Sequence, residues 1–430
     1  MSILMKDYFL RKENYMSKII VRKSGPLMGN ISCSGSKNAA LPILASTILS
    51  SGVSTLYNVP NLTDINHMLS ILENLGGKID YTENCAKIDF TNCNSFYANI
   101  ESVGKFRGSF FLAAPLLARM GRARISLPGG CPIGSRPIDL HLKGFAAMGT
   151  QIENGHGFVD LSCKKLQGAR IYLDFPSVGA TENLIMAAVL ADGETVIENA
   201  AAEPEIVDLA EFLNKQGAQI FGMGSDTITI TGVKSLTPTD YTIISDRIEA
   251  GTFMGAFAIT GGKGTVTGIN PLHLKPVTAK LAEMGAVILE NENSISIDAT
   301  SPLLASDIKT LPFPGFPTDM QAQFSALLCQ TKGTGVIVET VFENRFLHIG
   351  ELNRMGANIR IDGRSSVIEG ERNLTGAKVT AFDLRGGASL VLAGLAAKGE
   401  TEITGSEHIE RGYENLCEKL SRIGGNIFLA

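Results

Sequence analysis

The chain has 430 residues, of which 44% are hydrophobic and 19% are charged, and its formal net charge is −5. This length predicts two or three domains with sizeable cores. The net negative charge and the absence of Trp argue against a protein that coats nucleic acid or an anionic membrane. No apolar run approaches the roughly 18 residues of a membrane span. The seven Cys residues are scattered and lack zinc-ligand spacing, which favours free thiols in a reducing cytoplasm.

The first segment, residues 1–15, has too short an apolar part for a signal peptide. We expect it to form an N-terminal extension without ordered structure. The folded part is expected to begin near Met16, where the first strand-like run starts.

Two patterns alternate along the rest of the chain. The first is an amphipathic helical stretch ending in Gly-x-x-Ile, where Gly suits a left-handed helix cap and Ile lies in the following strand. It recurs about 70 residues apart, at Gly76/Ile79, Gly149/Ile152, Gly217/Ile220, Gly285/Ile288, Gly356/Ile359 and Gly424/Ile427. The second is a helix rich in small apolar residues, followed by Gly and a strand. Its copies are Lys37–Gly52, Arg107–Gly121, Ala180–Gly193, Ile248–Gly264, Asp319–Gly333 and Gly386–Gly399.

These patterns predict an α/β protein built from six units, each with two helices and intervening strands. Six units exceed one hydrophobic core, so we divide them three and three. The polar, Gly- and Pro-containing stretch Thr231–Asp240 marks the predicted break. Two similar lobes would place a functional site in the cleft between them.

A single cysteine, Cys131, stands in a Gly- and Pro-rich run over residues 127–137, where neither a regular helix nor a strand is expected. Pro137 suits the first turn of the helix that follows. Cys131 is therefore predicted at the tip of a loop leading into a helix N-terminus, with Arg136 at that terminus. Both the helix end and the guanidinium attract anions and lower the pKa of a nearby thiol. The alternative is a surface loop with an incidental cysteine.

Charged residues recur at the predicted helix starts. They are Lys37, Arg107, Asp319 and Arg385 at the internal helices, and Arg136, Arg345 and Arg411 at or near the amphipathic ones. If these helix ends face one cleft, it suits a substrate with several anionic groups, such as a phosphate and a carboxylate. The alternatives are solvated surface arginines and an N-cap role for Asp319. Because nucleotide-binding fingerprints and metal-ligand spacings are lacking, we expect neither nucleotide hydrolysis nor NAD chemistry, and no cofactor or metal.

Several stretches together resemble the UDP-N-acetylglucosamine 1-carboxyvinyltransferases of the enolpyruvyl transferase family. They begin at Ser34 (SGSKNAALP), Leu127 (LPGGCPIGSRPIDLH), Phe316 (FPTDMQAQ), Glu343 (ENRF) and Asp383 (DLR). The resemblance runs from about Met16 to the C-terminus. It implies a two-lobed inverse α/β barrel with three repeats per lobe. The first lobe would hold residues 37–244, with the Cys131 loop, and the second residues 16–36 plus 245–430.

The resemblance also implies an activity and a place in metabolism. Such an enzyme transfers the enolpyruvyl group of phosphoenolpyruvate to the 3-hydroxyl of UDP-N-acetylglucosamine and releases phosphate, by addition and then elimination. This is the first committed step of peptidoglycan synthesis, carried out in the cytoplasm on small-molecule substrates.

The resemblance assigns roles to individual residues. Cys131 would donate a proton to C3, can form a covalent phospholactoyl adduct and is the thiol that fosfomycin alkylates. Asp319 would act as the base toward the hydroxyl, with Lys37 and Arg411 completing the catalytic set. Phosphoenolpyruvate would be bound by Lys37, Arg136 and Arg411, with Arg345 and Arg385 nearby. The nucleotide sugar would contact Asn38, Arg107, Arg136, Pro137, Ile138, Asp139, Leu140, Asp319 and Val341.

Two positions depart from the family pattern. Phe175 and Pro176 stand where some members have Lys, and Phe313 stands where others have His. Two alternative functions remain at this point: the sister transferase that acts on shikimate 3-phosphate, and a non-catalytic relative that binds a nucleotide sugar. Phosphate release from phosphoenolpyruvate with each acceptor would separate them.

Overall fold

The structure, a computed structural model, describes residues 17–98, 107–126 and 138–430. The predicted N-terminal extension and the loop that carries Cys131 lie outside the described residues.

Short strands recur along the whole described chain. In chain order they are β1 (Ile19–Arg22), β2 (Met28–Ser32), β3 (Val53–Tyr57), β4 (Lys78–Thr82), β5 (Cys85–Asp89), β6 (Tyr97–Ala98), β7 (Arg122–Ser126), β8 (Gln151–Asn154), β9 (Phe158–Ser162), β10 (Arg170–Tyr172), β11 (Glu194–Glu198), β12 (Gln219–Phe221), β13 (Thr227–Thr231), β14 (Tyr241–Thr242), β15 (Lys263–Thr267), β16 (Val287–Asn291), β17 (Ser294–Asp298), β18 (Ile308–Lys309), β19 (Thr334–Val338), β20 (Asn358–Asp362), β21 (Ser365–Glu369), β22 (Lys378–Thr380), β23 (Glu400–Thr404) and β24 (Asn426–Leu429).

Helices alternate with these strands. The α-helices are α1 (Lys37–Ser46), α2 (Thr63–Asn74), α3 (Ala113–Met120), α4 (Asp139–Ala147), α5 (Val178–Ala188), α6 (Pro204–Lys215), α7 (Arg247–Ile259), α8 (Lys275–Glu283), α9 (Gln321–Leu328), α10 (Leu347–Arg354), α11 (Leu384–Ala396), α12 (Ser406–Ile409) and α13 (Leu416–Arg422). Short 3₁₀ helices lie at Thr47–Leu49, Arg107–Leu112, Pro271–Leu274 and Thr318–Met320.

The described strands form six four-stranded sheets with one pairing pattern. An outer strand runs parallel to the second strand, and two antiparallel pairs follow. The sheets are β14-β3-β5-β4, β6-β7-β9-β8, β10-β11-β13-β12, β2-β15-β17-β16, β18-β19-β21-β20 and β22-β23-β1-β24. A parallel pair needs a crossover connection, and in four sheets the internal helix α3, α5, α9 or α11 supplies it. In the other two sheets the outer strands β2 and β14 are exchanged, so that β2 pairs with β15 and β14 with β3.

The glycines of the Gly-x-x-Ile pattern have the conformation that the sequence predicts. Each follows an amphipathic helix, and their φ angles lie between +85° and +108°. Only Gly adopts this region without strain, so the chain can turn sharply there into the next strand. The Ile three residues on lies in that strand in every copy.

Two hydrophobic cores organise the elements. One is built from residues between Ala39 and Ile243. The other joins residues of Ile19–Ile31 to residues between Ile248 and Ile427. Strand β1 pairs with β23 and β24, so the N-terminal strands belong to sheets of the C-terminal half. The N-terminal segment holds two strands, β1 and β2, in two different sheets.

The chain passes twice between the two halves, and the crossings lie side by side. Gly35 forms an isolated bridge with Ser245, and the Asp246 amide donates to the Ser34 carbonyl at 2.9 Å. The second crossing follows the polar stretch Thr231–Asp240, because β14 beyond that stretch still pairs with β3.

None of the helices in the described part of the chain combines the length and the apolar character that a membrane crossing requires.

Candidate active site

Lys37 is the first residue of helix α1, where the sequence analysis placed it. The Ser36 side chain caps this helix by accepting a hydrogen bond from the Ala39 amide, which fixes the direction in which Lys37 leaves the helix. The Lys37 ammonium lies 3.2 Å from the Asp64 carboxylate, and 12% of its side chain is exposed.

Asp64, in the first turn of α2, joins two of the predicted cations. Its second oxygen accepts a hydrogen bond from Arg411 Nε at 2.8 Å. Because Lys37 and Arg411 come from opposite halves of the chain, this carboxylate bridges the two halves. The sequence analysis missed Asp64, since an acidic residue in a first turn ordinarily complements the helix dipole.

Asp319 forms ion pairs with two further predicted arginines, Arg345 and Arg385. Its carboxylate lies 2.8 Å from Arg345 Nη2 and 3.0 Å from Arg385 Nη2. It sits in the 3₁₀ turn ahead of α9, and it makes no side-chain cap to that helix. The N-cap alternative for Asp319 is therefore wrong.

Arg385 is fixed by its own helix start. Asp383 caps α11 by accepting hydrogen bonds from the backbone amides of Arg385 and Gly386, each at 2.9 Å. The helix therefore begins at Leu384, so that Arg385 lies inside its first turn. The sequence analysis began this helix one residue after Arg385, at Gly386. The Arg385 guanidinium also lies over the ring of Tyr413 at 5.4 Å.

A buried carboxylate, Glu339, holds the loop that carries Val341. Its Oε1 accepts hydrogen bonds from the Val341 amide at 2.8 Å and from the Thr310 hydroxyl at 2.9 Å. Its Oε2 accepts from the Thr318 hydroxyl at 2.8 Å, and that hydroxyl in turn accepts from Arg345 Nη1. The predicted contact residue Val341 is thus tied to the Asp319 turn through Glu339, which the sequence analysis also missed.

The charged groups of the site shift one another's pKa values. Burial lowers the pKa of Lys37, the Asp64 carboxylate opposes this shift, and the nearby Arg385 and Arg411 reinforce it. Burial would raise the pKa of Asp319, but Arg345 and Arg385 hold it well below its usual value. Asp319 is therefore ionised at neutral pH. The two ion-pair groups adjoin each other, since Arg385 acts on both Lys37 and Asp319.

A further contact between the halves lies near the Asp319 turn. Arg247, at the start of α7, donates to both oxygens of Glu205 on α6, at 2.9 and 3.3 Å. The Phe313 amide donates to Glu203 at 3.3 Å, and the Phe313 ring lies under the Arg247 guanidinium. Phe313, one of the two positions noted in the sequence analysis, therefore takes part in this contact.

The remaining predicted residues are placed as follows. Asn38 is the second residue of α1 and is half-buried. Asp139 and Leu140 begin α4, which packs on α5, and Ile138 lies just before it. These three residues take no part in the ion pairs of Asp64 and Asp319 among the described residues. Arg107 begins the 3₁₀ helix before α3, with only its backbone described. Cys131, Arg136 and Pro137 lie outside the described residues. Phe175, the second departure from the family pattern, is 43% exposed.

In the described ranges, no three His, Cys, Asp or Glu side chains are grouped so as to hold a metal ion. The six described cysteines are free thiols.

Comparison with known proteins places these features in a family. The profile of the family described as EPSP synthase (3-phosphoshikimate 1-carboxyvinyltransferase) matches residues 21–420. UDP-N-acetylglucosamine 1-carboxyvinyltransferase 2 of Carboxydothermus hydrogenoformans is 55% identical over 414 residues, covering 96% of this chain and 99% of that protein. UDP-N-acetylglucosamine 1-carboxyvinyltransferase 1 of Caldanaerobacter subterraneus subsp. tengcongensis is 54% identical over 414 residues, covering 96% of this chain and 99% of that protein. This chain belongs to the UDP-N-acetylglucosamine 1-carboxyvinyltransferase family.

Solved structures share the fold of this chain. The enolpyruvyl transferase NikO from Streptomyces tendae superimposes with a TM-score of 0.87 at 24% identity, covering 96% of this chain and 99% of that one. An EPSP synthase from Acinetobacter baumannii gives a TM-score of 0.74 at 20% identity, covering 97% of this chain and 100% of that one. The prediction of an enolpyruvyl transferase fold, an α/β protein of the two-lobed inverse-barrel kind, is confirmed.

Proposed function

We propose that this protein transfers the enolpyruvyl group of phosphoenolpyruvate to the 3-hydroxyl of UDP-N-acetylglucosamine and releases phosphate. The observation that carries the proposal is the charge balance of the site. Among the described residues, the four cations Lys37, Arg345, Arg385 and Arg411 share two carboxylates, Asp64 and Asp319. The excess positive charge suits a small substrate with a carboxylate and a phosphate.

The cations would bind phosphoenolpyruvate and stabilise charge that develops during the reaction. Lys37 and Arg411 approach from opposite halves, so both can reach one small anion in the cleft. Positive charges fixed in a partly buried site act more strongly than they would in water, and they favour departure of phosphate. Arg136 would join them from the Cys131 loop, as the family resemblance implies.

Asp319 would accept the proton of the sugar hydroxyl. Its ion pairs with Arg345 and Arg385 hold the carboxylate ionised and in one orientation. Because those pairs lower its pKa, it is a weak base when free. We infer that substrate binding draws at least one guanidinium toward the phosphoenolpyruvate, which raises the basicity of Asp319.

Cys131 would supply the proton to C3 of phosphoenolpyruvate. The sugar oxygen would add to C2 as the thiol proton moves to C3, which becomes a methyl group. The tetrahedral intermediate would then lose phosphate from C2 and one proton from the C3 methyl group, and the Cys131 thiolate would take up a proton to regenerate the thiol. Its thiol is also the site at which the covalent phospholactoyl adduct and the fosfomycin adduct would form.

The nucleotide sugar would lie between the two halves. We propose that residues 37–244 form one lobe and residues 16–36 plus 245–430 the other, and that both contribute contacts. Asn38, Arg107 and Ile138–Leu140 would contact it from the first lobe, and Asp319 and Val341 from the second. We place the protein in the cytoplasm, at the first committed step of peptidoglycan synthesis.

A coupled assay tests the proposal. Purified protein is incubated with phosphoenolpyruvate and UDP-N-acetylglucosamine, phosphate release is followed, and the product is identified by mass spectrometry. Parallel reactions contain shikimate 3-phosphate or no acceptor, and the Lys37→Ala variant is the inactive control. We expect phosphate release and a sugar enolpyruvyl ether with UDP-N-acetylglucosamine alone. Release with shikimate 3-phosphate only, or with neither acceptor, would overturn the proposal.

A further inference from the structure

Asp64 lies between Lys37 and Arg411, the two cations that an anionic substrate would be expected to contact. Its side chain is 6% exposed, and each carboxylate oxygen faces a different cation. One is the Lys37 ammonium at 3.2 Å, and the other is Arg411 Nε at 2.8 Å. Asp64 thus pairs with both of the cations that meet across the halves, and it offsets part of their charge.

The two partners of Asp64 differ in their freedom to move. Lys37 leaves the capped first turn of a buried helix, whereas the Arg411 side chain is 34% exposed and lies between the short helices α12 and α13. The more exposed guanidinium can change partners at lower cost, since less of it must be desolvated or repacked.

We propose that Asp64 is a positioning residue that holds Lys37 and Arg411 before substrate binds, and that Arg411 exchanges Asp64 for the phosphate group of the bound substrate. The inference rests on the proposed function and adds to it a residue and an exchange of partners. Lys37 keeps its contact with Asp64 throughout, which fixes its orientation toward the substrate.

The segment around Arg411 is held on the first half independently of Asp64. Glu414 accepts hydrogen bonds from the Asn61 amide and the Asn84 side chain, both at 2.8 Å. It also accepts one from the Ser34 hydroxyl. The backbone of this segment can therefore stay in place while the Arg411 side chain changes partner, and removal of Asp64 alone leaves this contact intact.

Replacing Asp64 by Asn separates this role from a merely structural one. Without the carboxylate, Lys37 and Arg411 lose an internal anion, so the substrate-free protein should bind an added anion more tightly. The pKa of Lys37 should also fall further, because Asp64 is the group that opposes the effects of burial, Arg385 and Arg411. The Asp64 carboxylate also acts on His67, one turn along α2, where it opposes the lowering of the His67 pKa by burial.

The experiment measures binding of inorganic phosphate by calorimetry to the wild type, Asp64→Asn and Asp64→Glu. Asp160→Asn is the matched control, because Asp160 is also buried and paired with two cations, Arg122 and Arg124, within one sheet. We expect Asp64→Asn to bind phosphate about tenfold more tightly, or about 1.4 kcal/mol. Asp64→Glu and Asp160→Asn should remain near the wild-type affinity.

A second measurement follows kcat and kcat/KM for phosphoenolpyruvate against pH. In Asp64→Asn, kcat should fall and the basic limb of the profile should move to lower pH, as Lys37 loses its proton earlier. Unchanged or weaker phosphate binding by a folded Asp64→Asn protein, or an unmoved basic limb, would overturn the inference. Phosphate binding needs no turnover, so failure of the proposed function would show separately, as a wild type inactive with UDP-N-acetylglucosamine.

Discussion

At the scale of single residues, the site depends on carboxylates that stay ionised although they are half-buried, as Asp319 is, or buried, as Asp64 is. Asp319 keeps its charge because Arg345 and Arg385 lie within 3.0 Å of it. Asp64 keeps its charge in the same way: burial would raise its pKa, but Lys37 and Arg411 lower it. Paired charges of this kind are costly to break, since removing one partner leaves the other desolvated and uncompensated.

Cys131 provides the first prediction at this scale. If it acts mainly through a transferable proton, Cys131→Asp should retain far more activity than Cys131→Ser, because a serine hydroxyl is too weak an acid to protonate C3. General acid catalysis is worth about 10²–10⁴-fold, which sets the loss expected for serine. The aspartate variant should have an acid-shifted pH optimum and should resist fosfomycin.

Steady-state rates of both variants from pH 5 to 8 check this prediction, with substrate binding and melting temperature as controls. Equal inactivity of the two folded variants would favour an obligatory covalent sulfur adduct instead.

Glu339 provides the second prediction. Glu339→Ala removes the acceptor of four hydrogen bonds, from Thr310, Thr318, Val341 and Phe342. Stranded buried donors typically cost about 1–3 kcal/mol each, so the melting temperature should fall by several degrees and KM for UDP-N-acetylglucosamine should rise. Glu339→Gln keeps one carbonyl acceptor and should lie between Glu339→Ala and the wild type. A Glu339→Ala protein as stable as the wild type would contradict this account.

At the scale of elements, local chemistry predicted much of the fold. The Gly-x-x-Ile pattern located the ends of six amphipathic helices, because a left-handed cap restricts the residue that can occupy it. Lys37 begins a helix as predicted, after the Ser36 cap, whereas Arg345 and Arg411 lie in the segments that precede α10 and α13. Only the family resemblance placed residues 16–36 with the C-terminal half, and the exchange of β2 and β14 between sheets was not predicted, since strand pairing over hundreds of residues leaves no local signal.

The partners of the predicted charges also could not be read from the sequence. Asp64 and Glu339 look locally like an ordinary first-turn acid and a strand-end acid. Their roles depend on Arg411 and Thr318, which folding brings to them from distant segments. Charged residues could be grouped into one predicted site because they lie near predicted helix starts. Their ion-pair partners could be identified only from the tertiary structure.

The crossing that follows β14 gives a prediction about pH. Asp208 on α6 accepts hydrogen bonds from the Tyr241 hydroxyl at 2.7 Å and the Ile244 amide at 3.2 Å. Burial raises the pKa of Asp208 to about 7, against about 3.9 in the unfolded chain. Between these values the folded protein holds a proton that the unfolded chain has released. The contribution of Asp208 to the free energy of unfolding therefore decreases as pH rises from about 4 to about 7.

Asp208→Asn should make the fall in melting temperature over this pH range shallower than in the wild type. Asp226→Asn, at an exposed position, is the control and should leave the slope unchanged. Scanning calorimetry at half-unit pH intervals measures both. Parallel curves for Asp208→Asn and the wild type would show that Asp208 is already ionised at pH 4–7.

At the scale of the whole molecule, the two halves are joined by two adjacent crossings and by polar contacts around the site. The contacts are Asp64 with Arg411, Glu205 with Arg247, and Glu414 with Asn61 and Asn84. Polar contacts of this kind exchange partners more readily than a packed apolar interface. Two adjacent crossings together with exchangeable polar contacts are suited to opening and closing over a substrate.

Closure by the nucleotide sugar is the prediction at this scale. In the proposed reaction, Lys37 and Arg136 from the first half act on the same substrates as Asp319 and Arg411 from the second, and closure would exclude water from them. Small-angle scattering should therefore give a smaller radius of gyration with UDP-N-acetylglucosamine than without it, and Cys131 should react with a thiol reagent at a different rate. Asp319→Ala, which removes a proposed contact of the sugar, should need more ligand for the same change. An unchanged radius at saturating ligand, with Cys131 equally reactive in both states, would show that the halves keep one arrangement during binding.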